Sequence, residues 1–243
     1  MVDSRWRRTG ALLLVPAAFV GSSLAGCSGG AVAGAGHTAG AAPSVSGKPS
    51  TATFSAAKLR GALLTRVNGV TAAAPAATGD YASLPDGSLG KRSANGVKVT
   101  PRACARATLT GFNPAMLAGS PAAAATFKVG KNGVSEMLVA LPGRLASSAL
   151  AGKFPAACAH YRETVEGKTF TYTAGESAIS GIGKQARVLH VRPSGASTDN
   201  LWSLIYRGAG FVGSVTVVGP NASEAAVREL GKQAYAFAAK SLS

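Results

Sequence analysis

LWSLIYRGAGFVGSVTVV, residues 201–218, reads as two apolar strands folded back on one another. Leu201 to Arg207 and Phe211 to Val218 are rich in β-forming side chains, and Gly208-Ala209-Gly210 between them is a tight glycine turn. Downstream, Asn221 followed three residues later by Glu224 has the form of a capping box. From there Val227, Leu230, Ala234 and Phe237 or Ala238 mark one face of a long closing helix. Upstream, Arg187 to Val191 adds a third strand, and Thr169 to Thr173 alternates in the manner of a fourth.

The same grammar occurs earlier in the chain. Ala125 to Leu141 predicts a hairpin, with Phe127 and Val129 on one arm, Lys131-Asn132-Gly133 as the turn and Met137 to Leu141 on the other arm. Gly143 to Ala151 is helical, and Phe154 to Glu163, which carries Cys158, reads as a further helical turn. Hairpin followed by helix thus occurs twice, and the two copies can be halves of one sheet. At the domain start Ser55 can cap a helix running to about Arg66, with Phe54 packing on Leu59 as a staple. Thr71 to Gly96 holds few strong elements, Val97 to Val99 is a short strand, and Pro101 to Leu109 with Cys104 opens a helix. Antiparallel strands with helices grouped around them predict a single α+β domain, an antiparallel β-sheet flanked by helices, over residues 54–243.

What precedes the domain is different in kind. Arg5, Arg7 and Arg8 form a positive head, Ala11 to Val20 is apolar, and small residues lead into Leu24-Ala25-Gly26-Cys27. That is the pattern of a secretory signal peptide over residues 1–26. Ten apolar residues rise about 15 Å as a helix, roughly half a bilayer's hydrocarbon core, so this segment does not span. Residues 27–53 are almost entirely Gly, Ala, Ser, Thr and Pro, with Lys48 the only formal charge, which predicts a flexible tether.

The chain carries 25 Lys and Arg against 10 Asp and Glu, a net of +15. Such a balance ordinarily suggests nucleic acid. Export and a scarcity of aromatic side chains for base stacking argue against that partner and point to anionic headgroups and acidic wall polymers. A GC-rich genome accounts for high arginine and alanine usage equally well. Of the three cysteines, Cys104 and Cys158 remain once Cys27 is assigned to an anchor. In an oxidising compartment they predict one disulfide, the alternative being two buried thiols.

Leu24-Ala25-Gly26-Cys27 resembles the bacterial lipobox. The resemblance implies cleavage before Cys27 and acylation of Cys27, which would then hold the protein on the outer face of the cell membrane. A second resemblance covers roughly residues 55–243. Its carriers are Leu63-Leu64-Thr65, Cys104 shortly after Pro101, Cys158-Ala159-His160-Tyr161, Gly181-Ile182-Gly183, Arg207-Gly208 and the alanine-rich last helix. Together these look like the actinobacterial PknH-type extracellular sensor domain and its lipoprotein relatives. That family implies an antiparallel sheet with flanking helices and a cleft for a small ligand. Its kinase-attached members typically have two disulfides, whereas this domain has cysteines for one.

Several catalytic patterns are better explained otherwise. Ser55-Ala56-Ala57-Lys58 matches S-x-x-K and Ser93-Ala94-Asn95 imitates a second element of penicillin-binding enzymes, but Lys168-Thr169 is followed by Phe170 rather than glycine. Ser55 is explained by capping. His160 and His190 have no ligand-type neighbours in sequence, and Gly181-Ile182-Gly183 lacks a dinucleotide loop's third glycine. No catalytic residue, metal site or cofactor is predicted. Between Asp86 and Glu136 there is no acidic residue, whereas Lys91, Arg92, Lys98, Arg102, Arg106, Lys128 and Lys131 all fall there. If the Pro101 segment adjoins the 125–141 hairpin, these side chains form one anion-attracting face; a solvated surface is the plainer reading. The expectation is a non-catalytic, membrane-tethered binding or sensor-type module for a small molecule or wall component. The alternatives are a wall-acting enzyme using Ser55 and an interaction lipoprotein using its basic face. Oligomeric state is not legible.

Overall fold

In the computed structural model, residues 53–84, 97–106, 112, 114–165, 167–195 and 199–243 are described. The 201–218 reading holds: β10 (Asn200–Arg207) and β11 (Phe211–Gly219) pair antiparallel, with Leu201 opposite Val218 and Arg207 opposite Val212. The turn closes with the Gly208 N–H donating to the Phe211 carbonyl at 3.0 Å. Glycine is required at Gly208, because a Cβ there would stand 2.2 Å from the Phe211 ring.

In chain order the other elements are α1 (Ala56–Gly61), β1 (Arg66–Val67), β2 (Val70–Thr71), β3 (Ala77–Asp80) and β4 (Val97–Thr100). Next come α2 (Pro114–Leu117), β5 (Pro121–Val129), β6 (Asn132–Ala140) and α3 (Gly143–Ala151). β7 (His160–Val165), β8 (Lys168–Ile179) and β9 (Gln185–Ser194) follow, and α4 (Glu224–Ser241) closes the chain. Nine strands form one sheet in the order β3-β5-β6-β11-β10-β9-β8-β7-β4, every pair antiparallel. The two hairpin-and-helix units are indeed halves of this sheet, joined where β6 pairs with β11.

Side chains alternate between two faces, and each face has its own core. On one, Leu138, Val215, Leu204 and Tyr206 pack against Leu59 and Leu63 near α1 and against Val227, Leu230, Ala234 and Ala238 of α4. On the other, Met137, Val139, Ile205 and Val212 meet Ala146, Ala149 and Leu150 of α3, together with Tyr81, Leu84 and Phe112. A smaller cluster of Cys104, Cys158, Tyr161, Ala174 and Val191 extends this second core under β7–β9. The fold is the α+β arrangement expected, with one Cys104–Cys158 disulfide whose Cα atoms lie 5.5 Å apart.

Several local expectations are corrected. The first helix ends at Gly61, not Arg66, because Asn68 (φ 49°) and Gly69 (φ 79°) turn the following residues into the β1–β2 hairpin. A two-residue Asn-Gly loop with both φ positive is the type I′ connection. The 125–141 turn is Gly130-Lys131, since Val129 pairs with Asn132 and Gly130 supplies the positive φ of 60°. Only Ala156–Cys158 of the 154–163 segment is helical, as a 3₁₀ turn, and His160 onward is strand β7 against β8. A 3₁₀ turn at Arg102–Arg106 replaces the start of the Pro101 helix. Ser223, not Asn221, caps α4 by accepting the Ala226 N–H at 3.2 Å. Asn221 is held by its own N–H on the Asn132 Oδ1. Ala238 is the buried member of the last helical pair, and Phe237 is exposed.

Candidate functional site

An open concavity lies between α1 and the segment that follows β2. The β1–β2 hairpin folds the chain back, and the Ala73 N–H donates to the Thr126 carbonyl at 2.8 Å, so residues 71–76 run beside β5. The groove left between them holds about 500 Å³ and is lined by Arg60, Leu63, Leu64, Ala73, Pro75 and Ala125. Its walls are mostly apolar, with the Thr65 and Thr71 side chains and the Arg60 guanidinium as polar groups.

Leu64 and Ala125 connect this groove to a buried acid. Ala125 is the cross-strand partner of Glu136, and the Leu64 N–H donates to the Glu136 Oε2 at 2.8 Å. Glu136 is 1% exposed, and its Oε1 has no hydrogen-bond partner among the described residues. Burial raises its pKa from the usual carboxyl value to about 7, against the opposing pull of the Leu64 N–H. Near neutrality this carboxyl can therefore either accept or donate a hydrogen bond. Close by, the fully buried Tyr206 hydroxyl also has no hydrogen-bond partner among the described residues, and burial followed by the Glu136 charge pushes its pKa well up. Gly213, opposite Tyr206 in the sheet, makes room for that ring; a Cβ there would lie 2.4 Å from it. Sequence reasoning passed over both residues. The available signal was an acid on the inward face of β6, in phase with Val134 and Leu138.

A second groove of about 430 Å³ sits where β9 and β10 meet the start of α4, lined by Arg192, Asn200, Trp202, Ala222, Ser223 and Glu224. The Arg192 guanidinium lies 5.1 Å over the Trp202 ring, and the His190 ring lies 5.0 Å from that ring at a tilt of 33°. Burial lowers the His190 pKa, Arg192 lowers it further, and Glu224 opposes both. Gly175 opposite His190 leaves space for the imidazole, since a Cβ would come within 2.8 Å of its Cε1.

The sequence-derived site residues are not gathered as expected. Lys98 and Arg102 lie at and beyond β4, the last strand of the sheet, while Lys128 and Lys131 belong to the β5–β6 hairpin at its other end. β5 and β4 stand second and ninth in the strand order, so the single basic face does not form through these residues. Lys91, Arg92 and Cys27 lie outside the described residues, as does the side chain of Arg106. Cys104 and Cys158 form the bridge rather than two free thiols.

Ser55 acts as a cap, accepting the Lys58 N–H at 3.2 Å, and the Lys58 ammonium is placed 5.4 Å from the Phe54 ring centroid. Lys168-Thr169 is in β8, and Ser93-Ala94-Asn95 lies outside the described residues. Among the described residues no three His, Cys, Asp or Glu side chains are grouped to hold a metal ion. No helix among them is long and apolar enough to cross a membrane.

No family model and no curated protein matches the chain. Solved structures that are similar in part include the following two. The extracellular domain of PknH from Mycobacterium tuberculosis has 14% identity and a TM-score of 0.40, over 60% of this chain and 77% of that one. The Rv0999 ortholog from Mycobacterium smegmatis has 18% identity and a TM-score of 0.42, over 70% of this chain and 86% of that one. At these values they are likenesses of part of the chain and say nothing of what it binds.

Proposed function

We propose that this protein is a lipid-anchored, non-catalytic binding module of sensor type, held on the outer face of the cell membrane through acylated Cys27. The groove beside α1, two of whose lining residues, Leu64 and Ala125, adjoin the buried Glu136, is the observation that carries the binding reading. A mostly apolar trough with Thr65, Thr71 and the cationic Arg60 in its lining suits a small ligand with an apolar body and an anionic end. The exported location is supported by the signal pattern of residues 1–26 and by the Cys104–Cys158 bridge, which persists in oxidising compartments. The tether of residues 28–53 would let the domain range roughly 30 Å from its anchor. Against the enzyme alternative, the Ser55 hydroxyl is engaged as a helix cap and Lys58 lies over Phe54.

Two measurements test this. Cys27→Ser should abolish fatty-acid labelling and move the protein from the membrane fraction to the soluble one; labelling that persists removes the anchor. Native mass spectrometry of the full chain in detergent should show a bound small molecule that is lost in Ala73→Trp, which fills the groove. A ligand mass equal in both proteins would rule the groove out.

A further inference from the structure

The face of the sheet that carries α4 is unevenly covered. Over β6, β11 and β10 it is core, whereas on β4, β7 and β8 the same face ends in exposed polar side chains. Register defines the rows of that face. Lys98 stands opposite Thr164, and Thr164 opposite Thr169. Thr100, Arg162, Thr171 and Ser194 form the next row, and His160, Thr173 and Arg192 the one after. Gly175, His190 and Trp202 form the last.

These rows contain no carboxylate. Glu163 and Glu176 fall on the opposite face, each in the alternate phase of its strand. One carboxylate, Glu224, stands beside the Arg192 and Trp202 end of the face, and it is bound to Arg228 at 2.6 Å. The cations are not scattered. Lys98, Arg162 and Arg192 advance by one row each as the sheet is crossed from β4 to β7 to β9, and the diagonal ends on Trp202. With strands about 4.8 Å apart and alternate residues about 6.8 Å apart, successive charges are spaced by roughly 8 and 12 Å. Lys98, Arg162 and Arg192 are all exposed.

From this line of charge we infer that the uncovered face docks a linear acidic polysaccharide along the Lys98–Arg162–Arg192 diagonal. The inference rests on the binding-module reading but not on the α1 groove or the anchor. A row of cations complements an extended polyanion, and the exposed hydroxyls of Thr100 and Thr171 beside Arg162 can hydrogen-bond sugar hydroxyls. A bilayer surface is matched less well, because the large apolar side chains exposed among the described residues, Val70, Leu145 and Phe237, belong to β2, α3 and α4. Single-stranded nucleic acid needs open aromatic platforms, and Trp202 is buried at 6% exposure beneath Arg192 and His190.

The test uses the full chain in detergent with polygalacturonate as the probe and neutral dextran as the blank. Polygalacturonate should bind, dextran should not, and added salt should weaken binding. Lys98→Glu/Arg162→Glu/Arg192→Glu should lower affinity by at least about tenfold, while Lys128→Glu/Lys131→Glu/Lys232→Glu, with the same change in net charge, should leave it within about twofold. Equal weakening in both variants would mean that net charge alone is responsible and would overturn the inference. So would absence of polymer binding, or binding only to vesicles containing phosphatidylglycerol or only to single-stranded DNA. Membrane retention through Cys27 is read separately, so failure here is distinguishable from failure of the anchor.

Discussion

The Glu136 carboxylate accepts the backbone N–H of Leu64 at 2.8 Å, tying the middle of the sheet to the turn that follows α1 across 72 residues of sequence. One carboxylate oxygen is satisfied, and the other is buried without a hydrogen-bond partner among the described residues. An acid in that position should make the first helix sensitive to pH.

Glu136→Gln tests this through stability. The folded-state pKa, about 7, lies above the ordinary glutamate value of 4.5, so the native state binds the proton more tightly than the unfolded chain. This contribution is complete below about pH 4.5 and is lost as pH rises through 7. Urea unfolding should therefore show the wild type losing up to about 3 kcal/mol between those limits, with Gln removing most of the slope. An unchanged slope in Glu136→Gln would falsify the assignment.

Tyr206→Phe removes a buried hydroxyl that makes no hydrogen bond among the described residues. Deleting a lone unsatisfied group is neutral or stabilising by about 1 kcal/mol, whereas losing a hydrogen bond would destabilise by a similar amount. The thermal midpoint should hold or rise; a drop of several degrees would reveal a partner for the hydroxyl.

Gly213→Ala should do the opposite. Its Cβ would enter the space of the Tyr206 ring, 2.4 Å from the nearest ring carbon. Overpacking of that kind costs about 1–3 kcal/mol. The double change Gly213→Ala/Tyr206→Leu should recover part of the loss, and a purely additive double variant would place the strain elsewhere.

Reduction of Cys104–Cys158 releases a loop whose ends are 54 residues apart in sequence, for which loop entropy predicts a loss of about 4 kcal/mol. The bridge joins two 3₁₀ turns over Tyr161 and Ala174, so β4 and β7 should lose amide protection before β10 and β11. Hydrogen exchange on reduced protein reads that order, and uniform loss of protection would show the bridge supporting the whole sheet.

Residues 201–218 were legible because each strand carries its own pattern and its turn is closed by adjacent residues, so nothing distant was needed. The closing helix was legible for the same reason, and the error at Asn221 was a local competition between two capping residues that Ser223 wins. Legibility failed where long pairing decided the outcome. Phe154 to Glu163 reads as helical beside Cys158, but pairing with Lys168–Thr173 of β8, with Tyr161 opposite Tyr172, makes His160 onward a strand. The basic residues from Lys98 to Lys131 are neighbours in sequence, yet strand order sends them to opposite ends of the sheet.

Local periodicity, glycine positions and cysteine count determined the fold class, the number of domains and the pair available for a bridge, since these depend on side chains a few residues apart. Sheet order, by contrast, is set by which apolar faces bury together over tens of residues. Only the tertiary structure brought Glu136 under Leu64 and Tyr206, and only it aligned Lys98, Arg162 and Arg192 across four strands.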